Sequence, residues 1–293
     1  MQPAKDKDAV SPVVGTILLV AITVVLAGVL IAMLSGFSDL GSWSSKESDF
    51  PDPGAGPVVP PLYHSPGLTD TKQEVNNADL SLSEGTVMTW VRMDDVNPWT
   101  GLIIKGVALS TSDYDQSYGL QMAGPALDSN AVGQLGWCQS AHNDLGGSTG
   151  EYPLFFIVMD GVDGNDVNYG VRSPVKMELG QWYFISGSFS ANRIEIHIYS
   201  ESAYLGSSYV TVKDVHSSTS SEPAAEEART TLTDNGNKFV PRQTDQPLLI
   251  LTQGMDQSWS DFDGAVFDWR IYSSALSKSS ADSVWMSTRS DLP

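Results

Sequence analysis

The chain has 293 residues and a formal net charge of -19, from 35 Asp and Glu against 16 Lys and Arg. That balance argues against nucleic acid as a partner and against anionic lipid as a docking surface, since both demand cationic patches. Cys138 is the only cysteine, which rules out an internal disulfide, and no Asn-x-Ser/Thr acceptor for N-glycosylation occurs.

Residues 9–38 carry no charged side chain, and from Val13 to Leu34 nearly every residue is apolar. Twenty-two residues in helix span about 33 Å, enough to cross a bilayer core. A cleaved secretory signal is the rival reading, with Ala32-Met33-Leu34-Ser35-Gly36 as its weak cleavage site. The run is too long for that, and its leader mixes Lys5 and Lys7 with Asp6 and Asp8, so a retained helix is expected. Within it Gly28, Ala32 and Gly36 recur every fourth residue. Such spacing offers a flat face for close helix packing, or is ordinary small-residue content of a membrane helix.

The segment from Asp8-Ala9-Val10-Ser11-Pro12-Val13-Val14-Gly15-Thr16 to Ala27 resembles the N-terminus of archaeal type IV pilin-like proteins. In that family a prepilin peptidase removes a short hydrophilic leader ahead of the hydrophobic helix. The resemblance implies that Asp8 and Ala9 end the leader and that Val10 begins the mature chain. Gly is the commoner residue where Ala9 stands. The Glu at the fifth mature position of bacterial pilins is replaced by Val14, so the bacterial subunit-pairing chemistry is not implied. Residues 1–9 are then a leader and residues 10–37 a membrane or filament helix, with other pilin-type subunits as partners.

Residues 38–67 interleave Pro51, Pro53, Pro57, Pro60, Pro61 and Pro66 with Gly and Ser. Such a segment builds no core and reads as an extended stalk. Beyond it the pattern turns to period two. Arg193-Ile194-Glu195-Ile196-His197-Ile198-Tyr199 alternates without error. Further strands are expected at Thr86–Met93, Leu102–Leu109, Tyr118–Met122, Leu154–Met159, Trp182–Phe189, Ser208–Val215, Leu248–Thr252 and Ala265–Tyr272. Short helices are expected at Glu222–Arg229 and Ser277–Met286. The expected fold is mainly β, an antiparallel sandwich of jelly-roll type over residues 68–290.

Three stretches, Leu82-Ser83-Glu84-Gly85-Thr86-Val87-Met88-Thr89-Trp90-Val91, Leu179-Gly180-Gln181-Trp182-Tyr183-Phe184, and the run from Phe262-Asp263-Gly264 through Asp268-Trp269-Arg270-Ile271-Tyr272 to Ala275-Leu276-Ser277, resemble in order and spacing a laminin G-like, concanavalin A-like domain. The departure from that family is a polar insertion at 216–247, either a mobile loop or a specificity feature.

Some relatives of that fold are glycoside hydrolases, which need two carboxyls about 5 Å apart, or under about 10 Å. Glu195 and Glu201 share a strand face, but six strand residues separate them by about 20 Å. The tight Glu-x-Asp-x-Glu cluster of glycosidases with this fold is missing, so no catalysis is expected, and His197 reads as a surface histidine. Asp160, Asp163, Asn165 and Asp166 concentrate oxygen ligands in a Gly-rich loop. They are candidates for Ca²⁺ or members of a solvated turn. Laminin G-like domains often hold calcium in such loops. Trp259, with Asp261 beside it, and Trp99 are candidates for stacking on sugar rings, or for packing. These features predict a surface protein, anchored in the membrane or assembled into a pilus, whose head binds an extracellular glycan or surface polymer.

Overall fold

The computed structural model describes residues 59–95, 100–110, 113–122, 150–161, 166–217, 223–252 and 261–293. All lie in the compact unit Ser48–Pro293. The leader, the hydrophobic helix with Gly28, Ala32 and Gly36, and the stalk as far as residue 58 lie outside the described residues. Among the described residues no helix is long and apolar enough to cross a membrane.

Fourteen strands are described: β1 Tyr63–Thr69, β2 Gln73–Val75, β3 Gly85–Met93, β4 Gly101–Ser110, β5 Asp113–Met122, β6 Gly150–Glu151, β7 Pro153–Asp160, β8 Asp166–Arg172, β9 Met177–Glu178, β10 Trp182–Phe189, β11 Arg193–Ser200, β12 Tyr204–Thr211, β13 Leu248–Ile250 and β14 Gly264–Tyr272. Three helices join them: α1 Val212–Ser217, α2 Pro223–Asp234 and α3 Lys278–Thr288. One six-stranded sheet runs β1-β14-β3-β10-β11-β12 and the other β2-β13-β4-β5-β7-β8. Every pairing within them is antiparallel, and the two sheets form a sandwich.

Alternation places the core. On β11, Ile194, Ile196 and Ile198 face the opposite sheet, where they join Phe155, Ile157 and Tyr169 in one buried cluster. The other face of the first sheet is also apolar, through Met88, Trp90, Phe184 and Tyr199, and α3 covers it with Ala281 and Val284. Trp90 donates its indole N–H to the Thr288 hydroxyl at 2.8 Å. Ser277 is the N-cap of α3, its side chain accepting from the Ser280 amide, so the expected helix is present and begins one residue later.

Three expected boundaries are corrected. β1 begins at Tyr63, inside the segment assigned to the stalk. It alternates in burial and lies at a sheet edge, paired only with β14, where Pro66 costs no ladder bond. The strand expected to reach Val215 stops at Thr211. There Thr211 and Asp214 make a reciprocal cap: the Thr211 amide donates to Asp214 Oδ2 at 2.8 Å and the Asp214 amide to Thr211 Oγ1 at 3.3 Å. That pairing starts a helix. α2 runs on to Asp234, five residues beyond its expected end, because Ala228 and Leu232 pack into the main core.

The insertion at 216–247 is therefore part of the fold where it is described. Tyr169 donates its hydroxyl to the Ala228 carbonyl at 2.7 Å, and Phe239 packs edge-on against Tyr169. The Phe239 amide donates to Ala191 O and the Arg242 amide to Val158 O.

Candidate functional site: a cleft between the insertion and the second sheet

Asp160 and Asp166 face each other across the β7–β8 turn. Arg242 reaches both, with Nε 2.5 Å from Asp160 Oδ1 and Nη1 2.8 Å from Asp166 Oδ2. A guanidinium thus stands beside two of the four oxygen-ligand candidates, while Asp163 and Asn165 lie outside the described residues. Asp261 closes the loop that follows β13: its Oδ1 accepts from the Thr252 hydroxyl at 2.9 Å and its Oδ2 pairs with Lys72. Trp259 and Trp99, the stacking candidates, lie outside the described residues, as does Cys138.

His197 is buried, not on the surface, with 2% of its area exposed. It lies 3.2 Å from Glu195, which also takes two hydrogen bonds from Arg193. The Arg193 guanidinium sits 3.8 Å over the Tyr209 ring. Burial alone would push the Glu195 carboxyl up; His197 and Arg193 outweigh it and hold the group below its ordinary value.

A cleft of about 660 Å³ opens where the insertion meets the second sheet. Its lining is Asn76, Asn77, Ala78, Ser81, Asp115, Gln243, Thr244 and Asp245. Its volume falls in the range of small-ligand sites. Each wall is held by its own hydrogen bonds. Asn77 caps a 3-10 turn over Ala78–Leu80 by accepting from the Asp79 amide at 2.9 Å. Tyr118 pins that turn from the core through its hydroxyl on Leu80 O at 2.8 Å. Ser81 donates to Thr244 O at 2.8 Å, tying the turn to the insertion. Thr244 accepts from the Gln246 amide at 3.1 Å, and Gln243 donates to Pro241 O at 3.2 Å.

Asp115 reaches the cleft from a bulge. The β4–β5 register slips between Lys105 and Gly106, where Gly106 has φ +107 and a Cβ would meet the Asp115 carbonyl at 2.2 Å. Near the two cleft carboxylates lies Lys105, 1% exposed, whose ammonium donates to the Gln246 carbonyl. Burial lowers its pKa, and the nearby Asp245 and Asp115 oppose that shift. The cleft thus mixes amides, hydroxyls and two carboxylates with a larger share of apolar surface, while the nearby Lys105 is withdrawn from solvent. Single residues gave no sign of it. The polar run Gln243-Thr244-Asp245 within the insertion was the one available signal, and its partners come from distant segments.

Residues 8–43 match the family described as archaeal Type IV pilin, N-terminal. No curated protein matches the chain. Among solved structures, domain 4 of an extracellular arabinanase from Geobacillus stearothermophilus, in complex with arabinotriose, is 15% identical, with 72% of this chain and 70% of that chain covered and a TM-score of 0.37. A heptameric SAP-like pentraxin from Limulus polyphemus is 14% identical over 80% of this chain and 79% of that one, at 0.36. The CBM40 of a Ruminococcus gnavus IT-sialidase, bound to α2,3 sialyllactose, is 8% identical over 78% and 100%, at 0.41.

Proposed function

We propose that this chain is an archaeal type IV pilin-like surface protein whose laminin G-like sandwich is displayed outside the cell to bind a glycan or surface polymer, without catalysing a reaction on it. The observation that carries the reading is the pilin N-terminal match at residues 8–43, joined through a proline-rich stalk to a head with a cleft. Prepilin peptidase would cut between Ala9 and Val10, and the exposed helix would enter a filament with other pilin-type subunits or stay in the membrane. Amides, hydroxyls and carboxylates suit a polyhydroxyl ligand, because each can exchange a water hydrogen bond for one to a sugar.

The test is the mature N-terminus of the native protein, read by mass spectrometry, together with retention of the protein on immobilised polysaccharides. A start at Val10 and recovery in sheared filaments are expected. A start at Met1 or Gln2 would sink the pilin reading and leave an anchored binding module. The long stalk favours that second reading more than a compact pilin would, since it separates head from helix.

A further inference from the structure

From the distribution of charge in the cleft we infer that it selects glycans free of carboxylate, sulfate and phosphate groups. The inference rests on the proposal that the head binds a glycan. It deepens that proposal by naming the class of sugar.

Two of the eight lining residues, Asp115 and Asp245, carry charge, and both are negative. The neighbouring cation, Lys105, offers no contact to an incoming anion, and its charge is already shared with Asp115 and Asp245. Lys105 is 1% exposed, and its ammonium donates to the Gln246 carbonyl. The remaining polar groups are neutral, and several are already committed as well: Asn77 accepts from Asp79 N, Ser81 donates to Thr244 O and Gln243 donates to Pro241 O. What remains for a ligand includes the amide N–H groups of Asn77 and, as acceptors, the oxygens of the two carboxylates. Sugar hydroxyls can donate to them, and an amino sugar can do so with added attraction. A uronate, sialate or sulfated sugar brings negative charge to a wall that already holds two carboxylates, and like-charge juxtaposition of this kind disfavours binding.

The whole molecule carries a net charge of -19, so distant repulsion has to be separated from the local effect. The experiment is affinity electrophoresis of the full chain against neutral polysaccharides and the same polymers oxidised at C6 to uronates. Asp115→Asn/Asp245→Asn is compared with a control pair, Glu201→Gln/Asp291→Asn, which removes two exposed charges away from the cleft. Expected is binding to at least one neutral polymer and retardation roughly tenfold weaker on its oxidised form. The gap closes in the cleft variant and persists in the control. Because Lys105 loses its counter-charges in the double variant, Asp245→Asn alone is run beside it, with the thermal midpoint of each recorded; it closes part of the gap.

Equal or stronger retention on the oxidised polymers overturns the charge inference while leaving glycan binding intact. So does a gap that closes as much in the control as in the cleft variant. Failure of every neutral and oxidised polymer to retard the native chain removes the glycan reading, and this inference with it.

Discussion

Gly187 has no room for a methyl group. A Cβ there would lie 2.2 Å from the ring of Phe155, which packs across from the opposite sheet. An aromatic ring clamped in a core cannot step aside as the end of a long chain could. Gly187→Ala should therefore cost about 1–3 kcal/mol, read as a lower urea midpoint with an unchanged slope; an unaltered midpoint would mean that the sheets part freely here. Glu195 makes a different prediction. Its folded pKa is depressed, so its stabilising share is present above the ordinary carboxylate value of about 4.5. It is lost as pH falls through the lower folded value. Glu195→Gln should lose about 3 kcal/mol or more at neutral pH, because Arg193 is left buried without its carboxylate. The variant should also flatten the acid limb of stability measured by denaturant titration below pH 4.5. An acid limb identical to the native one would show that other carboxylates carry it. Period two put Glu195 and His197 correctly on the face away from the core. It could not show that Tyr209, Tyr204 and α3 cover that face, since burial of a strand's second face is a property of what packs on it.

At the scale of elements, the strongest alternations gave the right strands; β2 and β8 were not expected, β5 and β12 begin earlier than expected, and one error lies where a side chain redirects the backbone. Thr211 and Asp214 end a β-like run by capping each other into a helix. The motif around Asp268 and Arg270 shows the reverse, a sequence signal whose role is architectural. Asp268 sits at φ +51 in a bulge of β14, 2.6 Å from His64 on β1 and within 3.0 Å of Arg270. It thereby stitches the edge strand to the sheet. For the same reason Ser277, in the motif's tail, reads as the cap of α3. Ser277→Ala should cost about 1 kcal/mol, seen as a lower thermal midpoint, while Ser277→Asp should hold it. In the insertion, Arg242→Gln should lower the midpoint by leaving Asp160 and Asp166 to repel each other. Added Ca²⁺ should then recover part of the loss, because two carboxylates with a vacated cation are a hard-oxygen site. No calcium response in that variant would remove this loop as a metal candidate.

For the whole molecule, the decisive residues precede the head. Ala9→Leu should block leader removal, so that the N-terminal peptide begins at Met1 or Gln2 and the protein disappears from sheared filaments while remaining in membranes. Recovery of that variant in filaments would separate assembly from processing. The sequence by itself determined the pilin-type N-terminus and the β class. Each is written in local chemistry: an uninterrupted apolar run, and alternation along a strand. Only the tertiary structure decided that the insertion belongs to the core, that Arg242 stands beside the acidic turn, and that a cleft forms between Asn76, Asp115 and Asp245. Those outcomes depend on which surfaces meet across many intervening residues. A polar side chain looks the same in sequence whether it lines a cleft, pairs with a buried charge or faces water.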